Sequence, residues 1–251
     1  MSVYKLQLIN LIVIINKFNP MKAKILIVIM GFLTQVCISQ NCEDISPYKE
    51  GMKLEYTNYN KKGKERSVDS YEVISVTTTN DELTIEIASQ TTSKKNKDAT
   101  SRKDILKCVN GNFYVDMTSY LAHQSEDQKS SLTIQAEGDF LEFPDNLTEG
   151  LELKDGYIEL QMGSGEGNTG VAFANMKVLN RKVIQNTSFT NKAGTFNAYK
   201  MSFDYIFTLG VIKIRGSGIE WYVKGIGIIK TESYSRKGKL RWTRELTKID
   251  G

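Results

Sequence analysis

Apolar and polar residues alternate with a period of two over most of this chain, the spacing that puts one set of side chains on each face of a β-strand. The cleanest instance is Leu83, Ile85 and Ile87 set against Thr84, Glu86 and Ala88. Leu54 and Tyr56 share a face in a strand predicted over residues 52–60. In its return strand, 65–79, the apolar phase slips between Tyr71/Val73 and Ile74/Val76, which predicts a bulge. Further strands are predicted over 83–89, 104–109, 113–117, 132–136, 140–143, 157–162, 171–186, 196–209, 211–219, 220–234 and 239–249. Between them lie turn signals such as Lys61-Lys62-Gly63, Asn80-Asp81-Glu82 and Asn110-Gly111-Asn112. Only 118–128 reads otherwise. There Met117, Tyr120 and Leu121 have helical spacing, which allows one short helix. The pattern is that of a single all-β antiparallel domain of about a dozen strands, a sandwich or a barrel.

Residues 219–242 carry the densest β signal, with Trp221 and Trp242 near their ends. They are predicted to form the closing hairpin of a curved sheet. Its turn is placed at Arg236 to Lys239, and Gly225 and Gly227 leave room for a bend or for an aromatic ring from a neighbouring strand. The turn sequence Tyr234-Ser-Arg-Lys-Gly-Lys239 echoes Tyr59-Asn-Lys-Lys-Gly-Lys64, which predicts one turn chemistry used twice.

The first 39 residues do not read as fold. Lys22 and Lys24 precede an apolar run over 25–36, which ends at Cys37-Ile38-Ser39 with small residues at the signal-peptidase positions. A helical signal peptide over 21–39 is expected, cleaved before Gln40, with Met21 as the true start and 1–20 as an upstream extension. An uncleaved membrane anchor is the alternative. The leader changes the charge argument. The formal net charge of +4 includes Lys5, Lys17, Lys22 and Lys24, and without them 29 basic residues balance 29 acidic ones. A neutral mature chain with no further span is expected to have no nucleic-acid partner, and lysine-rich turns read as surface tips that discourage edge pairing.

Cys42 and Cys108 remain after the leader. A pair of cysteines in an exported chain suggests one disulfide. Two free thiols are the alternative, and neither Cys37 nor Cys42 follows the small residue that lipid modification requires. No catalytic or metal-binding constellation stands out. Gly165-x-Gly167-x-x-Gly170 matches a dinucleotide-binding pattern literally, but a strand and not a helix is predicted to follow. His123 is the sole histidine and sits in a polar stretch. No enzyme activity, metal or cofactor is therefore expected. The suggestive set is aromatic: Phe203, Tyr205 and Phe207 alternate on one face, and Trp221 and Trp242 lie on nearby strands. These residues either line an apolar cavity or fill a core.

Four segments carry a family resemblance: Pro47-Tyr48-Lys-Glu-Gly51-x-x-Leu54-x-Tyr56, Gly138-Asp-Phe-Leu-Glu-Phe-Pro144, Thr190-Asn-Lys-Ala-Gly194-Thr-Phe196-x-Ala-Tyr199-Lys and Trp221-Tyr-x-x-Gly225-x-Gly227-x-x-Lys230-x-Glu232. Together they resemble the TapB-like exported proteins of Gram-negative bacteria. The resemblance implies an exported half-barrel related to lipoprotein carriers and brings no catalytic residues. Two functions follow as expectations for a periplasmic or outer-surface protein. One is a lipid or other hydrophobic ligand held on a concave face. The other is a solid-cored domain that binds an envelope protein.

Overall fold

The computed structural model describes residues 42, 46–80, 82–93, 100–117, 133–163 and 171–251. The signal segment, the 118–128 helix, His123, Lys94 to Lys97 and the 165–170 glycine motif lie outside these residues.

Among the described residues, thirteen strands form one antiparallel sheet. They are β1 (Lys53–Asn60), β2 (Glu65–Thr79), β3 (Glu82–Ser93), β4 (Thr100–Val109), β5 (Asn112–Asp116), β6 (Thr133–Gly138), β7 (Phe140–Phe143), β8 (Gly156–Gly163), β9 (Val171–Asn191), β10 (Gly194–Leu209), β11 (Ile212–Val223), β12 (Gly227–Ser235) and β13 (Leu240–Asp250). Their order is β6-β8-β9-β10-β11-β12-β13-β1-β2-β3-β4-β5-β7. The two edge strands, β6 and β7, are joined by the single residue Asp139. Its N–H donates to the Tyr157 carbonyl (2.8 Å) and its carbonyl accepts from the Met117 N–H (3.4 Å). One stretch of chain thus leaves one edge and joins the other, and the sheet is a nearly closed barrel. The seam is tight. A Cβ on Gly138 would sit 2.7 Å from Ile158 Cβ, and one on Gly156 would sit 2.4 Å from Leu141 Cδ2.

Local chemistry explains most of the turns. Asn110 (φ 50) and Gly111 (φ 81) both take the left-handed conformation that a two-residue hairpin loop needs. The two lysine-rich turns are the same structure. Gly63 N–H donates to Asn60 O and Gly238 N–H to Ser235 O, both at 2.8 Å. The Asn60 and Ser235 side chains each accept from the residue four positions on, Lys64 N–H at 3.2 Å and Lys239 N–H at 3.1 Å. The predicted bulge in β2 is present, as a register shift between Val73 and Ser75.

Residues 219–242 differ from the expectation. They hold the end of β11, all of β12 and the start of β13, inside the sheet and not at its closure. The predicted continuous strand 220–234 is interrupted by a turn. Ile226 N–H donates to Val223 O (3.1 Å). Gly225 sits at the third turn position with φ 84, as a type II turn requires, so this glycine reverses the chain where a gentle bend was expected.

The glycines that aromatic rings cross are Gly216 and Gly218 of β11. Phe203 pairs with Gly218 and Tyr205 with Gly216. A Cβ on Gly218 would lie 2.1 Å from Phe203 Cζ, and one on Gly216 would lie 2.4 Å from the Tyr205 hydroxyl. Tyr205 reaches over Gly216 to Ser233 Oγ on β12 (3.2 Å). Across the barrel, Phe143 of β7 stacks on Tyr222 of β11 at 4.3 Å and 8° between planes. Cys42 and Cys108 form a disulfide, Cα atoms 5.8 Å apart, which ties the N-terminal segment to β4. Closing a loop with this separation of 66 residues is worth about 4 kcal/mol in the chain-entropy account.

Gly218→Ala should lower stability by about 2 kcal/mol, because the added Cβ would overlap the buried Phe203 ring and force it to shift. Urea denaturation checks this, and Gly218→Ala combined with Phe203→Leu should recover part of the loss.

Candidate functional site

The five aromatic residues singled out in the sequence do not share one place. Phe203, Tyr205 and Phe207 are buried on one face of β10. Trp221 pairs with Lys200 while Phe203 pairs with Gly218, so strand alternation puts the indole on the opposite face from the phenylalanine ring. It is nonetheless buried. The far end of the β9–β10 hairpin covers it, with Phe189 5.6 Å away between ring centres. Asn191 in that hairpin donates to Leu246 O of β13 (2.8 Å). The ammonium groups of Lys200 and Lys230 lie 5.3 and 4.6 Å from the Trp221 ring, a cation–π arrangement. Trp242 is half-buried on β13, opposite Ser233 of β12 and Asn60 of β1.

The barrel's inner face also holds a charged cluster that sequence reasoning missed. On β2, Asp69 points the same way as Tyr71 and Val73, and its side chain is 1% exposed. On β13, Arg244 shares the face of Trp242 and Leu246. Arg244 Nε donates to Asp69 Oδ2 at 3.2 Å, and its guanidinium carbon lies 3.7 Å from the Tyr56 ring centre. Asp69 also accepts from Asn58 Nδ2 (3.0 Å) and Thr91 Oγ1 (2.9 Å). A second pair, Arg102 and Asp104 on β4, forms a fork with distances of 2.7 and 2.9 Å. The Tyr71 hydroxyl joins the two pairs, accepting from Arg244 at 2.8 Å and Arg102 at 3.4 Å. The available signal was a charge in phase with apolar residues on a half-buried strand. Such a residue must be paired where it lands.

The electrostatics follow from burial. Desolvation pushes the Tyr56 hydroxyl up to about 12, opposed in part by Arg244. It also raises Tyr71, Tyr48 and Tyr222. Burial alone would weaken the proton affinity of Arg244, but Tyr71, Asp69 and Tyr56 outweigh it and hold the guanidinium firmly charged.

This cluster borders a half-open cleft of about 110 Å³. Its walls include Leu54, Ile87, Leu106, Ile226 and Ile228, with the tyrosines Tyr48, Tyr56 and Tyr71, the carboxylates Asp104 and Asp116, and Arg244 as polar groups. Phe203, Tyr205, Phe207, Trp221 and Trp242 are not among its walls. A larger groove of about 500 Å³ lies along β13, β1, β2 and β3. Charges there face one another, Lys53 with Glu72 and Lys248 with Asp250. Among the described residues no group of three or more His, Cys, Asp or Glu is placed to hold a metal ion.

A family model described as DUF3108-like matches residues 49–246. The chain belongs to this family. Two solved structures share the fold. One is a candidate exported protein with a YmcC-like fold from Bacteroides fragilis, with TM-score 0.70, 21% identity, and 82% of this chain and 99% of that chain covered. The other is a candidate lipoprotein from Parabacteroides distasonis, with TM-score 0.69, 22% identity, and 82% and 97% covered. No curated protein matches the sequence.

Arg244→Met should destabilise the barrel by about 3 kcal/mol, since it leaves the buried Asp69 carboxylate without its cation. Asp69→Asn in the same chain should restore part of this, measured by denaturant midpoint. A second expectation concerns alkaline pH. The folded value of Tyr56 lies above its ordinary value of 10.0. Its burial therefore contributes stability that is complete below that pH and lost as pH rises towards about 12. Stability measured across this window should fall, and Tyr56→Phe should make the fall shallower.

Proposed function

We propose that the chain is an exported, non-enzymatic domain of the cell envelope, and that its barrel is a scaffold for binding another envelope protein. One observation carries this reading. The inward aromatics that a carrier would use to line a cavity lie directly on glycines instead, Phe203 on Gly218 and Tyr205 on Gly216. Export is supported by the Cys42–Cys108 disulfide, a bond characteristic of oxidising compartments. It is also supported by the candidate exported protein and candidate lipoprotein that share the fold, and by the resemblance to TapB-like exported proteins. Periplasm and outer surface both satisfy these observations.

The second reading is a hydrophobic ligand on the concave face, and the cleft beside Arg244 favours it. Its apolar walls, with Arg244, Asp104 and Asp116 among the polar lining, suit a small molecule with an apolar body and a polar head. At about 110 Å³ it falls below the few hundred Å³ usual for ligand pockets.

Native mass spectrometry separates the two. Protein purified without detergent should show the bare chain mass, before and after incubation with fatty acids or phospholipid. A stoichiometric adduct would overturn the scaffold reading in favour of the ligand. Cross-linking in intact cells should recover a protein partner from the envelope, and recovery of none would count against the scaffold.

A further inference from the structure

The sequence shows lysine-rich turns as separate events along a chain whose mature part is neutral. The topology gathers two of them and a third, apolar turn at one end of the barrel. Strands β10, β11, β12, β13, β1 and β2 are consecutive in the sheet. Their antiparallel pairing puts the β10–β11, β12–β13 and β1–β2 turns at the same end. The arc they occupy is about 25 Å wide at ~4.8 Å per strand.

Each turn contributes something distinct. The β1–β2 turn presents Lys61, Lys62 and Lys64, and the β12–β13 turn presents Arg236, Lys237 and Lys239, all exposed. The β10–β11 turn is Leu209-Gly210-Val211-Ile212, with the three apolar residues 44%, 99% and 58% exposed. Hairpin tips ordinarily carry Asn, Asp or Gly with polar neighbours, and this chain uses such residues at Asn110-Gly111. The apolar tip projects past β12 on one side, while on the other β9 runs level with it and its Phe173 carbonyl accepts from Gly210 N–H (3.0 Å). The last pair between β11 and β12 is Gly216 with Ser235, and β11 continues beyond it to Ile212. Lys213 and Arg215 are exposed just below the tip. Among the described residues of these turns, Glu65 is the sole carboxylate.

We infer that this end of the barrel docks on an anionic phospholipid surface. The apolar tip enters the boundary between headgroups and acyl chains, and the row of cations beside it meets the headgroup charge. The shape decides for lipid over a protein groove. The apolar turn lies at one end of a row of cations that runs from Lys213 and Arg215 through the β12–β13 turn to the β1–β2 turn, as suits an extended, deformable plane of uniform negative charge. The same cations lie too far apart in the sequence, and are too well balanced by acids elsewhere, for net charge to reveal them. This inference concerns the exterior at one end and does not depend on what the interior holds.

The test uses protein recovered from the exported fraction of expressing cells. It is sedimented with vesicles of phosphatidylcholine alone, or of phosphatidylcholine mixed with phosphatidylglycerol. Binding is expected only to the mixed vesicles and should weaken as salt rises. Lys61→Ala combined with Lys237→Ala should reduce affinity about thirty-fold, at the usual contribution of a cation near an anionic surface. Val211→Asp should abolish binding. All three positions are exposed, so the variants should keep the wild-type thermal midpoint. Absence of binding to the mixed vesicles would overturn the inference, as would binding that these variants leave unchanged. If Val211→Asp binds normally while the lysine variant does not, and a soluble polyanion competes fully, the surface serves an acidic polymer and the lipid assignment fails.

Discussion

The backbone hydrogen bonds at the barrel seam are the constraint on which the rest of this structure depends. A sheet of thirteen strands with two open edges would expose two rows of unpaired N–H and C=O groups, ready to pair with another chain. Here β6 and β7 form one stretch of chain, and Asp139 between them bonds to Tyr157 on one side and Met117 on the other. Closure brings strands distant in the sheet order face to face. The Phe143–Tyr222 stack exists only because the barrel curves round to bring β7 over β11. The small residues at the seam, Gly138 and Gly156, follow from the same closeness, since either Cβ would overlap a neighbouring side chain.

Closure also sets what the interior must contain. Phe203 and Tyr205 occupy the space that Gly218 and Gly216 leave, which is how a stretch of strand with glycines on its inner face can still pack. On the other side of the barrel a charged cluster sits among the buried apolar residues of β1 to β4. Replacing two buried ion pairs with apolar residues is often neutral or stabilising, so Arg244–Asp69 and Arg102–Asp104 are weak evidence of a gain in stability. Their geometry specifies register. Asp69 meets Arg244, Asn58 and Thr91 only in the observed alignment of β13, β1, β2 and β3, and a slip of one residue would send each to the opposite face.

Much of the fold was legible in the sequence because its signals are local. Asn110-Gly111 and the two Lys-Gly-Lys turns specify their own backbone conformations, and they form as read. The period-two pattern located the strands, and the phase slip near Val73 located a bulge. The misreading at Gly225 has a local origin too. Apolar alternation continues on both sides of a turn that needs one glycine with positive φ, so composition alone did not separate β11 from β12. The candidate site was less legible. Alternation placed Trp221 and Tyr222 on opposite faces, but neither the hairpin end that buries Trp221 nor the glycines beneath Phe203 and Tyr205 can be identified without the strand order.

By itself, the sequence determined the fold class and most of the hairpin turns, the one at Gly225 excepted. These follow from the stereochemistry of neighbouring residues. The tertiary structure alone decided which strands are adjacent, and so which charges meet inside and which turns gather outside. Lys61 to Lys64 and Arg236 to Lys239 are far apart in the chain and read as unrelated surface tips. They become neighbours because β13 pairs with β1. That pairing joins the last of the described strands to the first, and no local pattern encodes a contact of such separation.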